Sequence, residues 1–241
     1  MYEKVCIEGI FKMSKEENNN KINKIIPSKL ETSVEQILYK TLGKHIPKNI
    51  TPNQITMIGA LGGLIGIICA YLSKFNVLFL IGTIGGILCH LICDDLDGYV
   101  ARTRKMTSKA GSYLDLLTDI LHITYLIIAF TIAGVIKYQI SMFLIPVYAL
   151  IIFTAMNDML YFKQFLFPQL GPVETHLFFI ALCIGTMIFK NNPIININSI
   201  NFNLADLMCI IGGLLMNFEM VRLQVKLFNN LTKLDKEERK S

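Results

Sequence analysis

Apolar and polar positions divide this chain into six long greasy runs and a polar lead-in. The runs fall at about 55–72, 77–97, 111–135, 140–162, 173–189 and 204–227. A bilayer hydrocarbon core about 30 Å thick needs roughly 20 residues of helix to cross it, so each run predicts one membrane-spanning helix. Ahead of them, residues 31–43 (ETSVEQILYKTLG) place Val34, Ile37, Leu38 and Leu42 on one helical face. That segment is too short and too polar to span, and predicts an amphipathic helix lying in the membrane interface. Thr51 followed by Pro52 is a start signal for the first span. Gly59 with Gly63, and Gly62 with Gly66, are small residues four apart that permit close helix approach, and Gly82, Gly85 and Gly86 serve the second span in the same way. Three regions follow from this pattern: a polar tail over residues 1–30, expected to be disordered; a six-span domain over 31–230; and a charged tail over 231–241.

Composition reinforces an all-α, polytopic membrane fold. The chain is 53% hydrophobic and 17% charged, lacks Trp and has a mean hydropathy of +0.49, whereas soluble domains are about 25% charged. The six cysteines form no CxxC pair and mostly sit in apolar runs, where they act as small, reduced hydrophobes. A net charge of +5, spread over loops and tails, suits anionic lipid head groups and excludes nucleic acid as the expected partner. Six crossings put both termini on one side. Only Lys74, Lys137 and Lys190 fall on the other side among the Lys and Arg residues. The positive-inside rule therefore predicts a multi-pass protein whose termini, and the loop after the second span, are cytoplasmic.

Residues 94–119 (DDLDGYVARTRKMTSKAGSYLDLLTD) change the picture from membrane anchor to chemistry. Asp94 and Asp97 are three apart, and Asp115 and Asp119 four apart, so each pair projects from one side of a helix. A carboxylate inside a span costs about 2.5–3.5 kcal/mol on insertion scales, and several at one level repel one another. Divalent cations relieve both problems, and hard oxygen donors suit Mg²⁺ or Mn²⁺. Two such ions can clamp a pyrophosphate. Gly98 and Gly111 let backbone approach a ligand, and Arg102 offers a planar cation for phosphate. Two other readings stay open on spacing alone: an ion pathway in a six-span transporter, and interfacial acids paired with Arg102, Arg104 and Lys105. Asp95 points away from the other acids. His90, one turn before Asp94, and His122 read either as packing histidines or as supports for the acidic site.

The uninterrupted spacing D-x2-D-G-x2-A-R-x8-G-x3-D-x3-D, carried by Asp94, Asp97, Gly98, Ala101, Arg102, Gly111, Asp115 and Asp119, resembles the signature of the CDP-alcohol phosphotransferases. The resemblance covers roughly residues 33–230, including the TPNQIT entry to the first span. It implies a six-helix homodimer in which Asp94, Asp97, Asp115 and Asp119 hold two divalent metals. It also implies that Gly98, Ala101, Arg102 and Gly111 line a CDP pocket and that Asp119 acts as general base. The implied reaction transfers a phospho-alcohol group from a CDP-linked donor to a lipid or small alcohol acceptor, with loss of CMP. The segment GPVE, Gly171 to Glu174, resembles one in the choline and ethanolamine phosphotransferases. It makes Glu174 a second candidate base, although Pro172 and Glu174 also form a plain helix start. On this likeness the expected substrates are CDP-ethanolamine or CDP-choline with diacylglycerol. The alternative is CDP-diacylglycerol or CDP-archaeol with a small polar alcohol such as glycerol phosphate or inositol phosphate. His176 stands close to Glu174 in the chain and could share its site.

Overall fold

The computed structural model describes residues 23–25, 29–162, 164–166, 171–197 and 199–239. Most of the tail expected to be disordered, and Lys163 and Pro168 in the loop after the fourth span, lie outside these. The architecture is helical: α1 (Lys29–Thr41), α2 (Pro52–Leu72), α3 (Phe79–Thr103), α4 (Lys109–Ile132), α5 (Tyr138–Phe162), α6 (Pro172–Phe189) and α7 (Leu204–Glu238). Helices α2 to α7 are long and apolar enough to cross a membrane, which makes this a polytopic membrane protein with the six spans expected from the apolar runs.

Local chemistry sets the helix starts. Thr51 Oγ1 accepts from the Gln54 N–H at 3.4 Å, while Gln54 Oε1 accepts from the Thr51 N–H at 2.9 Å, a reciprocal cap at the head of α2. Ser108 Oγ accepts from Gly111 N–H at 3.0 Å to start α4. Asn203 and Asp206 cap α7 in the same reciprocal way. Asp206, fully buried, also accepts from the Lys137 backbone and pairs with its ammonium at 3.2 Å. This ties the start of α7 to the start of α5.

Close approach of α2 and α3 depends on their small residues. Going down the antiparallel pair, Gly59 faces Cys93, Gly62 faces Cys89, Gly66 lies against Gly86, and Cys69 faces Gly82. A Cβ on Gly86 would collide with the Gly66 backbone, whereas Gly85 has nothing within 4 Å. The glycine pairs expected to serve helix packing therefore do so, with Gly85 as the exception, and the cysteines fill the opposite positions as small apolar groups.

Three features differ from the sequence-based boundaries. Helix α3 continues to Thr103 instead of ending near Asp97. The Asn-rich linker holds a short antiparallel hairpin, β3 (Ile195–Ile197) with β4 (Ile200–Phe202). Helix α7 runs on through the charged tail to Glu238, because Leu, Lys and Glu are good helix formers with or without a membrane. Residues Asn23–Ile25 (β1) pair in parallel with Gln164–Leu166 (β2). Outward faces of the spans carry exposed Leu61, Leu64, Ile65, Phe153, Leu214 and Phe218, which lipid tails, and not water, would solvate. The main buried core joins α2 to α7 around Leu80, Ile87, Leu126, Phe130 and Leu182.

Candidate functional site

Alternating crossings bring the start of α2, the end of α3 and the starts of α4 and α6 to one end of the bundle. There, Pro52, Asn53 and Thr56 from α2, Asp97, Gly98, Ala101 and Arg102 from α3, and Gly111, Ser112 and Asp115 from α4 surround one cavity of about 160 Å³, closed by Met106, Thr107 and Ser108. Six of the eight spaced positions therefore line a single space: Asp97, Gly98, Ala101, Arg102, Gly111 and Asp115. The two glycines leave the wall tight but open. A Cβ at Gly98 would sit 3.1 Å from Arg102 Nη1, and one at Gly111 would sit 3.0 Å from Ser108 Oγ and 3.1 Å from Asn53 Oδ1.

The remaining two aspartates join the cavity wall through Asp115. Asp94, Asp115 and Asp119 each place a carboxylate oxygen within 4.8 Å of the others. Three convergent carboxylates are a hard-oxygen donor set of the kind that fits a divalent cation such as Mg²⁺. Asp97 stands apart from that trio. It is buried, lines the same cavity, and accepts a hydrogen bond from Thr56 Oγ1. The structure thus gathers the four expected aspartates at one end of the bundle as three plus one. Asp95, set aside in the sequence, is not among the residues lining the cavity and acts electrostatically on Tyr39 of α1.

Both arginines of the loop have defined partners, and neither pairing was visible in the sequence. Arg102 Nη2 donates to the Tyr39 hydroxyl at 2.7 Å, and Tyr39 stacks on Tyr99 with centroids 4.6 Å apart. Burial pushes the Tyr39 phenol above its usual range, although Arg102 opposes the shift and Glu35 adds to it through a hydrogen bond. The phenol stays protonated and links Glu35 to Arg102. The interfacial helix is therefore fastened over the cavity rim, with Leu38 packed near Ile55, Leu96 and Val100. Arg104 does structural work. Its guanidinium donates to the carbonyls of Ile46 at 2.9 Å, Pro47 at 3.1 Å and Ile50 at 2.7 Å, pinning the turn between α1 and α2 to the end of α3.

Glu174 Oε2 accepts from the Gly171 N–H at 3.0 Å and Thr175 Oγ1 donates to the Gly171 carbonyl at 3.0 Å. The GPVE segment thus forms a helix start, and Glu174 is not among the residues lining the cavity. His176, one turn in, lies with His90 and His122 one helical turn below the carboxylates, and His90 Nε2 is 3.9 Å from Asp119 Oδ1. Among residues that sequence reasoning missed, Thr56, Asn53, Ser108 and Tyr39 touch the site. Thr56 and Asn53 lie in the TPNQIT entry, so that segment was the signal.

Fold and site together define a six-span membrane protein with an acidic, metal-capable cavity at one end and a fixed arginine beside it. The chain matches the CDP-alcohol phosphatidyltransferase family over residues 49–222, more than half its length, and belongs to that family. It is similar to the archaetidylinositol phosphate synthase of Pyrococcus horikoshii, 31% identical over 115 residues, covering 47% of this chain and 58% of that protein. It is also similar to the bifunctional IPC transferase and DIPP synthase of Aquifex aeolicus, 34% identical over 80 residues, covering 32% of this chain and 17% of that protein. Both alignments span less than two thirds of those relatives.

Proposed function

We propose that the protein is a phospholipid-synthesis transferase that joins a small polar alcohol to the phosphate of a lipid-linked CDP donor, releasing CMP. The convergence of six signature residues on one cavity carries this reading. An ion pathway needs acids distributed across the bilayer and has no use for Gly98, Gly111 and Arg102 around a pocket. Family membership supports the reaction class. The relatives favour the lipid-linked donor over CDP-choline or CDP-ethanolamine, since one of them is named for an archaetidylinositol phosphate product. The acceptor class is then a water-soluble alcohol such as inositol phosphate or glycerol phosphate, and the donor CDP-diacylglycerol or CDP-archaeol. The GPVE likeness that pointed to amino-alcohols loses weight because Glu174 has a capping role.

In this reading Asp94, Asp97, Asp115 and Asp119 hold two divalent ions, Mg²⁺ or Mn²⁺, whose chemistry is to neutralise the donor pyrophosphate and stabilise the departing CMP. Arg102, held in place by Tyr39, supplies a planar cation toward phosphate oxygens. Gly98, Ala101 and Gly111 keep the wall thin so that the cytidine nucleotide seats against backbone. The alcohol oxygen forms the new bond to phosphorus as the bond to the CMP oxygen breaks. The proton of that alcohol passes to a carboxylate, for which Asp119 is the candidate, since Glu174 is engaged in capping α6. The site faces the cytoplasm with both termini, by the charge distribution of the loops, and the working unit is a homodimer, as the family resemblance implies.

The test is CMP release by purified protein in detergent with Mg²⁺ or Mn²⁺. Metal-dependent release that disappears in a folded Asp97→Asn variant is the expected result. Ion flux in vesicles without CMP release from any CDP-linked donor would overturn the enzyme reading.

A further inference from the structure

We propose that His90, His122 and His176 form a separate nitrogen-donor site for a transition-metal ion of the Zn²⁺ type, one helical turn below the carboxylates. The three histidines come from α3, α4 and α6, and each is 3% exposed. One ring nitrogen from each lies within 4.8 Å of the other two. The rings stack nearly parallel, with centroids 4.1 Å apart for His90 and His122, 5.6 Å for His90 and His176, and 5.7 Å for His122 and His176. Among the described residues, His90 Nδ1, both nitrogens of His122 and His176 Nε2 are buried without a hydrogen-bond partner. Several unmet polar atoms in one apolar pocket carry a desolvation cost that simple ring packing does not recover.

The support around the trio is that of a ligand set. His176 Nδ1 lies 2.7 Å from the Pro172 carbonyl. That contact fixes the proton on Nδ1 and leaves Nε2 bare, the arrangement in which metal-bound histidines are usually held. Gly63 of α2 faces the rings: a Cβ there would come 2.6 Å from His122 Nδ1 and 3.0 Å from His90 Cδ2. The absence of a side chain at Gly63 thus keeps room for the cluster.

Three neutral imidazoles are a borderline donor set that selects Zn²⁺, Co²⁺ or Cu²⁺ over Mg²⁺. Tetrahedral Zn–N bonds of about 2.0–2.1 Å place the nitrogens roughly 3.3 Å apart, so the nitrogens must close by up to about 1.5 Å and the stacked rings must turn out of parallel on binding, because each nitrogen lone pair lies in its own ring plane. The site is distinct in ligand chemistry from the carboxylate trio, with His90 Nε2 3.9 Å from Asp119 Oδ1. A bound ion would cross-link α3, α4 and α6 beneath the carboxylates.

The experiment uses the full chain without a histidine tag, stripped with EDTA in detergent and loaded with Zn²⁺ or Co²⁺ in excess Mg²⁺ to keep the carboxylates occupied. Expected is one Zn²⁺ per chain by elemental analysis, an X-ray absorption spectrum with imidazole multiple scattering, and visible d–d bands for the Co²⁺ form. Zn²⁺ is retained in Asp115→Asn and in His45→Ala, and lost in His122→Ala and His176→Ala. In Gly63→Ala, which keeps all three ligands, affinity falls at least tenfold. No stoichiometric Zn²⁺ in the wild type, or a bound ion whose absorption spectrum lacks imidazole, overturns the proposal whether or not any variant folds. Loss of Zn²⁺ in Asp115→Asn with retention in His176→Ala overturns it too.

Discussion

Thr56→Val removes one hydroxyl and almost nothing else. Thr56 is 6% exposed and Asp97 is 5% exposed, and Thr56 Oγ1 donates to Asp97 Oδ2. Valine keeps the volume and the branched shape, so the α2 and α3 contact survives. A hydrogen bond to a charged group is worth about 1.5–3 kcal/mol. If that energy holds Asp97 in the geometry a metal requires, its loss weakens metal binding by roughly 10- to 100-fold at about 1.4 kcal/mol per decade. Outer-shell partners of metal ligands cost about 10–100-fold when removed, so the two figures agree. CMP release from detergent-purified protein, titrated with Mn²⁺ and Mg²⁺, measures this directly. The half-saturating metal concentration rises by that factor, turnover recovers at saturating metal, and Thr56→Ser behaves like wild type. A Thr56→Val protein with an unchanged metal titration and an unchanged Tm would refute the reasoning, because Asp97 would then not depend on the Thr56 hydroxyl or would not serve the metal.

Three further outcomes follow from named contacts. Glu174→Gln keeps an oxygen for the Gly171 N–H and retains CMP release within a few-fold, while Glu174→Ala lowers stability by about 1 kcal/mol; a loss of several decades in the Gln variant, with Tm unchanged, would instead make Glu174 the base. Arg104→Ala frees the carbonyls of residues 46, 47 and 50 and costs about 2–3 kcal/mol, read as a lower Tm, and an unaltered melt would show that the turn holds itself. Gly86→Val drives a side chain into the Gly66 backbone and lowers Tm or yield sharply, whereas Gly85→Ala, which meets nothing within 4 Å, leaves both unchanged; equal tolerance at the two positions would dismiss the close approach of α2 and α3.

The sequence revealed most about features that recur along the chain. Apolar runs gave six spans because hydrocarbon thickness imposes a length, and the Asp94–Asp119 spacing gave the site because its residues lie on two consecutive helices joined by a short loop. The trio of Asp94, Asp115 and Asp119, and the separate setting of Asp97, were not legible. Which carboxylates converge depends on the rotation of α3 against α4, a tertiary relation that spacing along the chain does not carry. The meeting of His90, His122 and His176 joins residues 86 positions apart at its extremes; His90 and His122 read as packing or as supports for the acidic site, and His176 as a neighbour of Glu174. Helix ends were misplaced at Thr103 and Glu238 because a helix need not stop where the membrane does. At 35 residues α7 is about 50 Å long, well beyond one bilayer core.

The most direct test is a donor panel read by CMP release with Mg²⁺ or Mn²⁺: CDP-diacylglycerol and CDP-archaeol with inositol phosphate or glycerol phosphate, against CDP-choline and CDP-ethanolamine with diacylglycerol. The account expects turnover of a lipid-linked donor with a water-soluble alcohol and none of the soluble donors. Turnover of CDP-choline or CDP-ethanolamine alone would contradict the proposed substrates, and no CMP from any donor would contradict the proposed chemistry itself.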